Sequence, residues 1–181
     1  MGAIEYLKHY TYDDYMIWEG NWELFEGFPV AMSPAPMITH QAIATKLISQ
    51  LDDEILNCDR CLILGEADYK ISDDTIFRPD IALICDETHD KYITKSPEII
   101  VEIISKSTAK NDENYKFHKY EAEKVKYYVI VYPDDLRAKV YKLVDGKYDK
   151  QGDFSKEIYA FEDTLCSVSV DFEKVFKRFR K

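Results

Sequence analysis

The sequence predicts an α/β protein, a mixed β-sheet with helices packed on it. Two observations carry that expectation. Apolar residues recur at three- and four-residue steps through 38–57 (Ala42, Ile43, Leu47, Ile48, Leu51, Ile55, Leu56), the stripe of an amphipathic helix. The runs Ile99-Ile100-Val101, Ile103-Ile104 and 127–132 are close to continuously apolar, as strands covered on both faces are. With 46% apolar residues among 181, the chain is long enough for one sizeable core. No repeat and no Pro/Gly-rich linker divides it, so residues 1–181 are expected to form a single domain.

The elements follow in order. A short helix is expected over 11–18, with Thr11 as N-cap and Asp13 and Asp14 in its first turn. Strands at 22–25 and 30–32 flank Glu26-Gly27, a tight-turn pair. Ser33-Pro34-Ala35-Pro36 then interrupts regular structure ahead of the long helix. Strands are expected at 61–64, 69–72 and 81–85, with Ser72-Asp73-Asp74 turning the chain between the last two. The strand at 98–105 precedes a second long helix over 111–124, and 127–132 forms another buried strand. Asp145-Gly146 between 139–144 and 148–151 signals a hairpin. An edge strand at 155–161 and a short helix at 171–179 close the chain.

Charge is unevenly placed. The total is -10, from 24 basic and 34 acidic residues. Residues 1–90 carry 5 basic against 18 acidic side chains, and residues 91–181 carry 19 against 16. An acid excess argues against tight, nonspecific coating of nucleic acid, which requires many Lys and Arg contacts to phosphate. The second half and the C-terminal Lys174, Lys177, Arg178, Arg180 and Lys181 leave room for a local basic surface. No apolar run approaches the roughly 20 residues of a membrane span, and no basic segment followed by an apolar stretch opens the chain, so no membrane partner is expected.

Four cysteines occur, at 58, 61, 85 and 166. Cys58-Asp59-Arg60-Cys61 has the spacing of half a zinc site or of a redox pair. A structural zinc needs four ligands, and no second pair at matching spacing exists. A redox pair belongs at a helix N-terminus after a strand, whereas this one follows a helix and leads into a strand. The sequence therefore points to reduced thiols in a cytoplasmic protein.

Two carboxylates stand out of place. Glu102 interrupts a Val/Ile strand, and burying a lone carboxylate is costly unless it is paired or bound to metal. Asp80, in Arg78-Pro79-Asp80, opens the buried strand 81–85. Acids on adjacent core strands can meet at one end of a sheet and offer oxygen ligands to Mg²⁺. Lys116, on the helix after the Glu102 strand, is the candidate cation for such a centre, with Tyr120 four residues on along the same face.

These residues carry a resemblance. The ordered set is Trp22-Glu23-Leu24-Phe25-Glu26-Gly27, Met32-Ser33-Pro34, His40-Gln41 and Arg78-Pro79-Asp80-Ile81. It continues with the run from Pro97 to Ser105, Ser107-Thr108, Lys116 with Tyr120, and Tyr127-Tyr128-Val129-Ile130-Val131. Over about residues 20–135 the chain resembles the Uma-type restriction endonuclease family, within the PD-(D/E)XK nuclease superfamily. The resemblance implies a restriction endonuclease-like core and a DNA-cleaving enzyme that uses Mg²⁺ or Mn²⁺. Asp80 and Glu102 would be its metal ligands, and Asp80, Glu102 and Lys116 its catalytic residues. The commonest superfamily motif places a Lys two residues after the second acid. Here that position is Ile104, and Lys116 matches a helix-borne Lys in its stead. Lys106 stands where the family usually has Pro, which leaves open an altered loop or a competing cation. Glu23 and His40 match accessory positions, Glu23 for metal and His40 for phosphate or water, with Tyr120 as a third. DNA is the implied partner, and a homodimer would present two centres to two strands. Two other function classes remain open on the residues alone: a nuclease-fold protein that binds nucleic acid or protein without turnover, and a hydrolase of smaller phosphoesters.

Overall fold

The computed structural model describes residues 8–32, 37–105 and 109–180. The expected break at 33–36, the loop residues Lys106, Ser107 and Thr108, and Lys181 lie outside them. A six-stranded sheet runs through the centre. Its strands are β3 (Cys61–Gly65), β6 (Ile81–Cys85), β7 (Ile99–Ile103), β8 (Tyr127–Tyr132), β9 (Arg137–Val144) and β10 (Lys147–Phe154), in that spatial order. Every pair is antiparallel except β7 with β8. That parallel pair requires a crossover, which is the helical stretch between them. The sheet is mixed and carries helices, as the sequence predicts.

Period-two alternation sorts the side chains of the central strands onto two faces. Ile81 and Leu83, Ile99, Val101 and Ile103, and Tyr127, Val129 and Val131 pack against α2 (Ile38–Ile55), α4 (Phe172–Phe176) and the ribbon β11 (Ile158–Phe161) with β12 (Val168–Asp171). Ala82 and Ile84, Ile100, and Tyr128 and Ile130 face the other way. They meet Tyr120 of α3 (Phe117–Ala122) together with Phe25, Tyr69 and Phe77 from a smaller four-stranded sheet. That sheet is ordered β2 (Phe28–Ala31), β1 (Trp22–Phe25), β5 (Ile76–Phe77), β4 (Tyr69–Lys70). Its β1–β2 hairpin turns at Glu26 and Gly27, both at positive φ. A side chain at Gly27 would also collide with the His9 ring.

Four details depart from the expected elements. The opening helix α1 is a single turn, Tyr12–Tyr15, with the Asp14 carboxylate accepting the Thr11 N–H at 3.0 Å. The turn at 72–74 leads from β4 into β5, a two-residue strand too short to show alternation, and not directly into β6. The second long helix is divided, with a π-helical turn at Asn111–Lys116 running into α3. Asp112 and Lys116 in this turn are both buried, and Tyr128 Oη anchors it by donating to the Asp112 carbonyl at 2.9 Å. Residues 158–161 pair with β12 in a separate ribbon instead of edging the main sheet. The hairpin expected at Asp145-Gly146 is present, with both residues at positive φ.

Candidate active site

Strand alternation dictates where the carboxylates of the core go. Glu102 shares its face with Ile100, beneath α3 and the small sheet, while its neighbours Val101 and Ile103 point to the α2 side. The register of β6 against β7 pairs Ile81 with Val101 in antiparallel fashion. One step further along the same register sets Asp80 opposite Glu102. Asp80 is fixed there because its Oδ2 accepts the Ile103 N–H at 2.6 Å. Sequence reasoning placed these acids on adjacent strands, and the fold brings them to the same end of the sheet.

Lys116 is the hub of the buried part. Its Nζ lies 2.8 Å from Glu23 Oε1, 3.0 Å from Glu102 Oε1 and 3.4 Å from Asp112 Oδ1. All four residues are at most 6% exposed. Tyr120 Oη donates to the same Glu102 oxygen at 2.9 Å. Glu23 comes from β1, and its Oε1 also accepts the Arg78 backbone N–H at 2.8 Å, which ties the small sheet to the segment that delivers Asp80. The Arg78 side chain is held in turn by Asp68, at 2.7 Å, and by the Tyr15 hydroxyl.

The electrostatics of this group are unbalanced. Burial opposes the charge on Lys116, but Glu102, Glu23 and Asp112 outweigh it and hold the ammonium well above its ordinary pKa. Burial pushes the Glu102 carboxyl well up, Lys116 opposes that shift, and Asp112, Asp80 and Glu23 add to it. One ammonium thus serves three buried carboxylates, with Asp80 adjoining. Carboxylate oxygens in excess of the available cation are the donor set of a hard divalent ion. The chemistry of this donor set is compatible with a hard divalent ion, for which Asp80 and Glu102 would be the ligands.

His40, in the first turn of α2, reaches Asp80, with Nε2 3.2 Å from Oδ2. Burial disfavours its imidazolium, yet the hydrogen bond and charge of Asp80, joined by Glu66 and Asp112, raise its pKa above the ordinary value. Its Nδ1 is buried with no hydrogen-bond partner among the described residues. Of the proposed site residues, Glu102, Lys116, Glu23 and Tyr120 are in direct contact within this group, and Asp80 with His40 adjoins it.

Asp112 is the member that sequence reasoning missed. Its signal was present, since it precedes Lys116 by four residues, the spacing that pairs side chains along a helix. Lys119 is directed elsewhere, to Glu26 at 3.8 Å.

The fold and this centre define a restriction endonuclease-like α/β protein with a carboxylate–lysine cluster at one end of its sheet. Residues 12–168 match the Uma2 family, whose description is "Putative restriction endonuclease", and the chain belongs to that family. Among solved structures it is similar to a crystal structure described as a "putative nuclease" of DUF820 from Anabaena variabilis. The TM-score is 0.73 at 16% identity, over 92% of this chain and 97% of the other, a likeness of fold. No curated protein matches the chain in sequence. Among the described residues, no helix is long and apolar enough to cross a membrane.

Proposed function

We propose that this protein is a metal-dependent endonuclease that hydrolyses DNA phosphodiester bonds. The observation that carries the reading is the buried cluster in which Lys116 faces Glu23, Glu102 and Asp112, with Asp80 across the strand register from Glu102. Family membership supports the same class of chemistry. Asp80 and Glu102 would hold Mg²⁺ or Mn²⁺. When bound, such an ion polarises a phosphate oxygen and makes water a better nucleophile near neutral pH.

The remaining work falls to side chains. Lys116 supplies a fixed positive charge where negative charge develops on the phosphate, and it needs no reorganisation because three carboxylates already hold it. Tyr120 and Lys116 together orient Glu102 through one oxygen. The Ile103 N–H and His40 keep Asp80 in one orientation. Glu23 positions Lys116 from the other side. A homodimer in solution would present two such centres to the two strands of a duplex.

The test is cleavage of supercoiled plasmid by purified protein in Mg²⁺ or Mn²⁺. Nicking or linearisation that stops on chelation, and that Asp80→Ala abolishes without changing the circular dichroism spectrum, is the expected result. Equal cleavage by Asp80→Ala overturns the assignment. A wild-type protein that binds Mn²⁺ in no Asp80- or Glu102-dependent way and cleaves no polynucleotide is a binding module. Turnover of a mononucleotide or sugar phosphate alone makes it a small-phosphoester hydrolase.

A further inference from the structure

The cysteines form a second centre, away from the carboxylates. All four in the chain converge where α2 ends and β3 begins. Cys58 follows α2, Cys61 opens β3, Cys85 closes β6 directly across the register from Cys61, and Cys166 precedes β12. Their sulfurs stand at bonding distance in two pairs, Cys58 with Cys166 and Cys61 with Cys85. The pairs are not separate, because Cys166 Sγ lies 3.1 Å from Cys61 Sγ. The sulfurs of Cys58, Cys61 and Cys166 all fall within 4.8 Å of one another. The Cα atoms of Cys61 and Cys85 are 4.0 Å apart, closer than the roughly 4.4–6.8 Å that disulfides span. Along the sequence no second Cys-x-x-Cys existed to complete a zinc site; in space, a cross-strand neighbour and a distant loop supply the missing two ligands.

We propose that these four cysteines bind one structural zinc ion as a tetrathiolate. Four thiolates at about 2.3 Å from a tetrahedral zinc stand about 3.8 Å from one another. Cys58, Cys61 and Cys166 already gather within 4.8 Å, and Cys85 would join them from across the register by opening the bonded-distance pairs. Cys58-Asp59-Arg60-Cys61 forms a turn in which the Cys61 N–H donates to the Cys58 carbonyl at 3.4 Å, so both sulfurs are presented together. The centre packs against the α2 face of the sheet. It sits at the opposite end of β6 from Asp80, five residues and so about 16 Å away at the usual rise per residue. Its role is therefore to tie the β11–β12 ribbon to the α2–β3 corner, and each thiol releases its proton on binding.

Protein purified under anaerobic reducing conditions should carry one zinc per chain by elemental analysis. Its four thiols should react with a thiol reagent only after chelation, and chelation should lower Tm. Replacement by Co²⁺ should give the intense visible bands of tetrahedral thiolate-bound cobalt. Glu102→Gln should keep the zinc in full, and Cys166→Ser should lose it. Less than a tenth of an equivalent of zinc overturns the proposal, whether the thiols are freely reactive or a mass decrease marks two disulfides. So does a zinc content that falls with Glu102→Gln and not with Cys166→Ser. The wild-type measurements decide the question even where a cysteine variant fails to fold.

Discussion

Lys116 Nζ stands 3.0 Å from Glu102 Oε1 with both side chains almost wholly removed from solvent. An ion pair in that position is costly to break from one side, because the partner stays behind as an unpaired buried charge. Lys116→Met should therefore lower unfolding stability by about 3–5 kcal/mol. Urea denaturation checks the figure. Adding Glu102→Gln to Lys116→Met should recover part of the loss, and a double variant no more stable than the single would mean that Glu23 and Asp112 carry the coupling instead.

Tyr120→Phe removes only the hydroxyl that donates to Glu102 Oε1. The ring stays buried among Phe77 and Tyr128, so packing is preserved. The expected loss is about 1.5–3 kcal/mol, the range for a hydrogen bond to a charged group. Chemical denaturation of the two proteins side by side measures it.

Asp112→Asn keeps the shape of the side chain and withdraws one of the three charges that hold Lys116. It should reduce Mn²⁺ affinity or DNA cleavage about 10–100-fold, as loss of a residue that positions ligands does, with a small change in Tm. Manganese titration followed by electron paramagnetic resonance reads the affinity, and plasmid nicking reads the rate. Unchanged values for both would confine Asp112 to a packing role.

Glu87 gives a pH signature remote from the cluster. Burial works against its charge, but the backbone N–H groups of His89, Thr94 and Lys95 and the Thr94 hydroxyl hold its pKa down to about 2. A depressed carboxyl contributes stability that is fully present above its ordinary value near 4.5 and is lost as pH falls towards about 2. The Tm advantage of wild type over Glu87→Gln should therefore be constant near neutrality and shrink through that window. A difference that does not vary with pH would show that the amide replaces the carboxylate fully.

The parts of the fold written most plainly in the sequence were those with strong periodicity or two-sided burial. The helix Ile38–Ile55 and the strands Ile81–Cys85, Ile99–Ile103 and Tyr127–Tyr132 fall within a few residues of their expected places. β5 has two residues and β12 four, too few for alternation to stand out from loop sequence. The π-helical turn carries no distinct composition, since tertiary demand at Asp112 and Lys116 sets it. Asp80 and Glu102 stood out in the sequence as carboxylates on or beside apolar strands, whereas Lys116 drew notice only through its position on the following helix and the family resemblance. The cysteine cluster was not, because Cys58 and Cys166 come together across a sequence separation of 108, which no local spacing rule covers.

Glu23 holds Lys116 from a different sheet. Glu102, Lys116 and Tyr120 lie on one continuous stretch of chain, from β7 through the crossover helix, and that stretch can form its contacts locally. Glu23 can join them only after the small sheet has docked over the large one, and the Arg78 N–H that shares its carboxylate brings in Asp80 at the same moment. A single carboxylate on β1 thus makes the buried charge balance of one layer depend on the seating of the other, so the two sheets share one electrostatic account.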